Sequence, residues 1–340
     1  MITVKVTLGT GTSERAHFRQ TSNWSGIWGN CQFWLNASIL DCDWWVVLDD
    51  LPQPETAICP LGCTIFVNGE PPTVKTYDER FLRQFGTVVA CQDTRHPKVL
   101  RTQQSLFWQH QFMPRVEEED ALPPSVAYQD YDRLCRHEPL IKTETISAIA
   151  SDKTFTAGHR ERLAFAQRLK ERMGDHLHLF GRGIAGFSDK WTVTAPFKYH
   201  VAIENSQFQD YWTEKLGDAF LADCYPFYSG CPNIGDYFPA KALTVICISD
   251  FEKAVATIKA GIASGLYESS RVPRRQAKEL ILNTYNLFPA LSRLIESISI
   301  GAQSEQLMLM PDAHFRGDVT GHGRRFLRRL GRVVHLHEKQ

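Results

Sequence analysis

A threonine, a carboxylate and a lysine stand together at Thr213, Glu214 and Lys215, in a helical pattern that runs from Tyr211 and places Leu216, Phe220 and Leu221 on one side. Free backbone N–H groups at a helix start carry the positive end of its dipole, so with a cation beside them the natural guest is an anion such as a diphosphate. Asp210 is placed to cap this helix. Upstream, residues 199–203 have strand character and break at Glu204-Asn205-Ser206. Strand, polar turn, helix is a ligand-binding order. A lone Glu-Lys pair is by default a solvated surface pair, so the weight rests on the whole run from Phe197 to Cys224.

A second carboxylate, Glu70, follows a short strand over residues 64–67 in the run Asn68-Gly69-Glu70-Pro71-Pro72. Glycine before it and proline after it hold it on a stiff loop at the edge of a cleft. An ordinary exposed loop is the alternative.

The elements that must position these groups alternate as in an α/β fold. Residues 2–8 and 44–48 read as strands, 77–85 as a short helix and 88–90 as a strand, which makes a Rossmann-like first half. Aromatic residues between Trp24 and Trp34 either fill a core or offer faces to a sugar. Residues 115–137, acidic and proline-bearing, read as a connection or a surface insertion. Beyond them come a strand at 142–150, a helix at 158–172, a strand at 177–180, a last strand at 245–248 and a helix at 251–260, with helical pattern to about residue 300. Gly181-Arg182-Gly183-Ile184-Ala185-Gly186 spells GxGxxG, but no helix or acidic partner follows as a dinucleotide site requires, so a tight turn is expected. Asp41-Cys42-Asp43 precedes its strand and reads as a turn rather than a metal site.

The chain of 340 residues has 38 basic and 38 acidic side chains, which speaks against a nucleic-acid partner. Its 43% apolar share is that of a globular protein. Nine cysteines without a paired metal-ligand spacing read as free, mostly buried thiols. No apolar run approaches the ~20 residues that cross a bilayer. The expectation is a cytoplasmic protein. A basic amphipathic segment from Arg324 is either a plain surface helix or a peripheral contact to the inner face of the membrane.

The central run resembles the donor signature of the alpha-1,3/1,4-fucosyltransferases, glycosyltransferase family ten, in a bacterial-type form. The matching residues are Phe197-Lys198-Tyr199, Ile203-Glu204-Asn205-Ser206 and Tyr211-Trp212-Thr213-Glu214-Lys215, in order and spacing. The run His159-Arg160-Glu161-Arg162, the Gly181-Arg182-Gly183 turn and Gly230-Cys231-Pro232-Asn233 extend the likeness, with Cys231 where alanine is usual. The resemblance implies a GT-B fold of two facing Rossmann-like domains with the active site in the cleft between them. The expected partition is an acceptor domain at 1–138, a donor domain at 139–290 and a helical, basic tail at 291–340. It implies donor contacts at Arg162, Lys198, Asn205, Tyr211, Glu214 and Lys215, with Arg160 an open alternative to Arg162. Glu70 becomes the candidate base. The implied reaction is inverting transfer of L-fucose from GDP-fucose to a glycan hydroxyl, with no metal or other cofactor required. Transfer of another GDP-sugar, or donor binding without transfer, remain alternatives.

Overall fold

The computed structural model describes residues 1–9, 17–104, 107–108, 129–298 and 303–316. The first half contributes β1 (Ile2–Leu8), β2 (Ile27–Trp28), β3 (Cys31–Leu35), β4 (Trp44–Leu48), β5 (Glu55–Pro60), β6 (Thr64–Val67), β7 (Thr87–Ala90) and β8 (Val99–Arg101). Seven of these form one sheet in the order β2-β3-β1-β4-β6-β7-β8. Every pairing in it is parallel except the β2–β3 hairpin. Central β4 is buried at every position, which is why it reads Trp-Trp-Val-Val-Leu without alternation.

The second half contributes β9 (Glu144–Ile149), β10 (Leu177–Phe180), β11 (Phe197–Ile203), β12 (Tyr225–Ser229) and β13 (Thr244–Val245). They form an all-parallel sheet in the order β10-β9-β11-β12-β13. The helix Ala157–Met173 buries Phe165, Ala166 and Leu169 on the core that contains β9 and β10, and the helix Phe251–Ala263 adds Phe251, Val255 and Ile258 to it. The helix Glu214–Leu221 packs into a separate apolar cluster with Trp212 and Phe238.

Both sheets are doubly wound, and each reverses its strand order once. In the first the reversal falls between β1 and β4, in the second between β9 and β11. Loops leave such neighbouring strands in opposite directions, which opens a crevice beyond their carboxyl ends. The residues at the two crevices are Gly9 with Asp49, and Ser151 with Asn205.

One part of the expected partition is corrected. Residues 291–309 do not begin a tail. The helix Leu287–Ser297 returns to the first half, where Leu287, Phe288, Leu291 and Ile295 are fully enclosed in its core. A further strand, β14 (Ser304–Leu309), pairs antiparallel with β5. The crossing is fixed by a buried amide exchange in which Gln20 Nε2 donates to Asn286 Oδ1 and Asn286 Nδ2 donates to the Gln20 carbonyl, each at 2.8 Å. The helical pattern of this segment is legible in the sequence, but the surface that its apolar stripe covers is not. The basic segment from Arg324 and most of 115–137 lie outside the described residues. Among the described residues no helix is long and apolar enough to cross a membrane.

Phe288 stacks against Phe18 and meets Phe33 edge-on, with ring centroids 6.2 Å and 5.1 Å away. Phe288→Ala should cost about 3–5 kcal/mol, as for other enclosed aromatic truncations. Urea unfolding checks this; a loss below about 1 kcal/mol would show that the returning helix contributes little to the first half.

Candidate active site

The reversal between β9 and β11 opens a cavity of about 540 Å³. Its floor is the ends of those strands, Ile149 with Ser151 and Ile203 with Asn205, and its far wall includes Gly69 and Glu70 from the first half. The start of the helix Ala157–Met173 adjoins it. A Cβ on Gly158 would lie 1.8 Å from the Asn205 carbonyl oxygen, so only glycine lets the helix begin this close to the turn. Thr156 caps that helix by accepting from the His159 amide, and its hydroxyl also lies 2.7 Å from His159 Nδ1.

The group that organises the cavity is Glu204, whose carboxylate is wholly enclosed. It accepts the Thr213 amide and the Thr213 hydroxyl, each at 2.8 Å, and lies 3.4 Å from Lys215 Nζ. Gly230 makes room for it, since a Cβ there would approach Glu204 Cγ to 2.5 Å. Thr213 is held at the head of the helix in this way, and the helix starts at Glu214 with Thr213 as its cap. The expected cap, Asp210, is engaged elsewhere. In a left-handed conformation at φ +63°, it accepts from the Tyr237 hydroxyl at 2.6 Å and from Asn233 Nδ2 at 2.8 Å. The helix starts three residues later than its pattern suggests because Tyr211 and Trp212 form a buried, non-helical approach to it.

Lys215 also reaches the Thr213 hydroxyl at 2.9 Å and Glu214 at 3.3 Å. Burial opposes its charge, but Glu214 and Glu204 outweigh that and raise its pKa. Burial would raise Glu214, yet Lys215 and then Lys190 hold its carboxyl down to about 2. Arg162, 5% exposed, donates through Nη1 to Asn205 and through Nη2 to Ser151 at 3.2 Å. Burial lowers its pKa, and its Nε has no protein partner. His159 is driven down to about 4 by burial and then by Arg162, Lys153 and Lys215, so it is neutral near pH 7. The result is a cleft whose cations are fixed before any ligand arrives.

Glu70 faces them from the opposite half. Its amide donates to Asn68 Oδ1 and its carbonyl accepts from Gln92 Nε2, both at 3.1 Å, so its backbone is tied on two sides. Burial and then Asp49 raise its carboxyl to about 7, the poise of a general base at neutral pH. Thr73, on the same loop, shares a 2.6 Å hydrogen bond with Ser206 across the cleft.

Six of the seven residues expected at the site line this one cavity: Glu70, Arg162, Asn205, Tyr211, Glu214 and Lys215. The exception is Lys198. It pairs with Glu268 at 2.7 Å on the exposed surface and stands over the Tyr267 ring. Alternation along β11 sends it away from the cleft that receives the strand's end. Arg160 is exposed and donates to the Thr154 carbonyl at 3.1 Å, leaving Arg162 as the arginine of the cavity. Ser151, Lys153, His159 and Lys190 also line it and lie outside the expected set. The capping order Thr156-x-x-His159 after a strand is the available signal for two of them. The GxGxxG run is a tight turn, closed by Gly181 N–H to the Ala185 carbonyl at 2.8 Å. Asp43 accepts the Thr3 amide at 2.7 Å, as befits a turn. All nine cysteines are free, seven of them buried.

Two doubly wound parallel sheets that share a cationic cleft at their strand ends, faced by a raised carboxylate, form the GT-B arrangement of glycosyltransferases. An alpha1,3-fucosyltransferase of known structure has the same fold at TM-score 0.50 and 16% identity, over 88% of this chain and 90% of that one. Similar at TM-score 0.47 and 15% identity is an alpha1,3-fucosyltransferase with GDP-fucose, over 89% and 92%. Another, with GDP, is similar at TM-score 0.45 and 14% identity, over 84% and 92%. Residues 141–260 match the model described as glycosyltransferase family 10 (fucosyltransferase) C-term, so the second half is similar to that family.

Lys215→Ala is expected to weaken binding of a nucleoside diphosphate, probed with GDP, by about tenfold or more, the scale of one charge-assisted hydrogen bond. Lys198→Ala should change it less than about twofold, as an exposed pair does. Calorimetric titration separates the two; equal losses would place the anion elsewhere.

Proposed function

We propose that this chain is an inverting fucosyltransferase that moves L-fucose from GDP-fucose to a hydroxyl of a glycan acceptor. The observation that carries this reading is the placement of Glu70, raised to about 7, in one cavity with Arg162, Glu214 and Lys215 from the other half. The family supports fucose as the sugar. The cation set supports a diphosphate leaving group.

In this mechanism the β11–helix turn binds the donor, with Lys215 and Arg162 meeting the diphosphate and Glu214 accepting from ribose hydroxyls. Asn205 and Tyr211 orient the nucleotide. The acceptor oxygen attacks the anomeric carbon from the face opposite the diphosphate. As the new C–O bond forms, Glu70 takes the hydroxyl proton and the old C–O bond releases GDP with its electron pair. One displacement from the opposite face inverts that carbon. Fixed cations take the charge that develops on GDP, the role a metal fills in other transferases. Activity is therefore expected to persist in chelator.

Glu70→Gln should keep GDP affinity within about twofold while transfer falls by about a hundredfold or more, the scale of a lost general base. In the intact protein kcat/KM should rise with pH and level off above a midpoint near 7, because the base works only when deprotonated. Both are read from initial rates with GDP-fucose and a panel of glycan acceptors. Turnover by Glu70→Gln at the level of the intact protein would refute the assignment, and GDP binding without transfer to any acceptor would favour a binding protein instead.

A further inference from the structure

Asp49 is the residue immediately beyond β4, at the strand-order reversal of the first sheet, where a doubly wound sheet opens its crevice. β4 and β6 run parallel with Leu48 beside Val67, which sets the residue after one strand against the loop after the other. The Asp49 amide donates to the Val67 carbonyl at 2.9 Å, and Asp49 Oδ1 accepts the Gly69 amide at 2.7 Å. Its backbone is left-handed at φ +66°, a conformation that asparagine and aspartate tolerate and most residues resist. A Cβ on Gly69 would lie 2.9 Å from Asp49 Oδ1, so position 69 is glycine because this carboxylate occupies the space. Asp49, Gly69, Thr213 and Glu214 also line a smaller cavity of about 150 Å³ beside the main one.

We propose that Asp49 is a positioning residue for Glu70: it latches the Gly69 turn and sets the local charge against which Glu70 takes up and gives up its proton. The inference rests on Glu70 being the base. Asp49 is the carboxylate bonded to that turn, and a like charge close by stabilises the protonated form of an acid. The other groups facing Glu70 are Lys75, Tyr77 and Cys91 from the first half and Lys215, Glu214 and Tyr211 from the second. Asp49 itself faces Lys75, Asp50 and Tyr77. Lys75 Nζ bonds both the Asp49 carbonyl and Asp50 Oδ2 at 3.1 Å, so the Asp49 carboxylate is not the lysine's bonded partner. Burial raises the Asp49 carboxyl itself, while the Gly69 amide and Lys75 hold it down, and the charge it keeps acts on the turn.

Asparagine separates the two parts of the role. Asp49→Asn keeps an oxygen for the Gly69 amide and keeps the tolerance for a left-handed backbone, but removes the charge. The ascending limb of kcat/KM should then move to lower pH by about half a unit or more, the direction a lost like charge dictates. Asp49→Ala loses latch and charge together, and transfer should fall by more than about tenfold at every pH with GDP affinity kept. A latch without an electrostatic part would be restored by asparagine with the limb unmoved, and that result overturns the inference. Titration of the Glu70 carboxyl by 13C NMR, with Glu70→Gln to assign the resonance, reads the same shift without turnover. A downward shift in Asp49→Asn there, in a protein that transfers no fucose, would sustain the coupling of Asp49 to Glu70 and sink the proposed function; no shift overturns the inference whatever the activity.

Discussion

The site depends on one enclosed carboxylate. Glu204 has no contact with solvent, and an isolated charge there would cost several kcal/mol. It is tolerated because three donors converge on it: the Thr213 amide, the Thr213 hydroxyl and the Lys215 ammonium. The same three contacts fix where the helix starts and where its first cation stands. Removing the anion would free the helix start and leave Lys215 with Glu214 as its main partner, so architecture and electrostatics here have one cause.

A second constraint comes from topology. Each sheet reverses its strand order once, so each has one crevice, and the two crevices meet at a single cleft. The second half brings Arg162 and Lys215 there, with the Glu214 carboxylate that Lys215 and Lys190 hold down, while the first brings Asp49 and Glu70. This arrangement suits the proposed reaction. A diphosphate binds to fixed positive charge, whereas a base must keep its proton affinity up, which like charges and burial achieve. Sharing the work between two halves keeps the base from being neutralised by an ion pair with the donor-side lysine; the two meet only across the cleft, tied loop to loop by Thr73 and Ser206.

Local periodicity carries much of this in the amino-acid sequence. β10 and the helix from Ala157 are local periodic elements and fall within a residue or so of their expected bounds. The Glu214-Lys215 pair stands out because a run of residues, rather than a pair, has the right order. What the sequence hides is non-local. Glu204 looks like one more polar residue of a turn, since its partners lie nine or more residues downstream. Lys198 sits inside the best-matched motif and still faces away from the cleft, because the outcome of a strand's alternation depends on which side of the sheet the cleft lies. The returning helix Leu287–Ser297 shows the same effect at larger scale: its apolar stripe is plain, and its destination on the first half is not.

The returning helix also bears on how the cleft holds its shape. The covalent path from the first half to the second is only one of its ties. Asn286 and Gln20 exchange buried hydrogen bonds at the point where the chain crosses back, and the Tyr131 hydroxyl donates to Asn283 at 2.8 Å nearby. Two crossings restrict relative motion of the halves far more than one, because a single linker leaves rotation about itself free. The Thr73–Ser206 hydrogen bond, by contrast, joins one loop of each half and is worth only about 1 kcal/mol net. The two halves are therefore held by buried side chains where the chain crosses back and only weakly by this loop-to-loop bond.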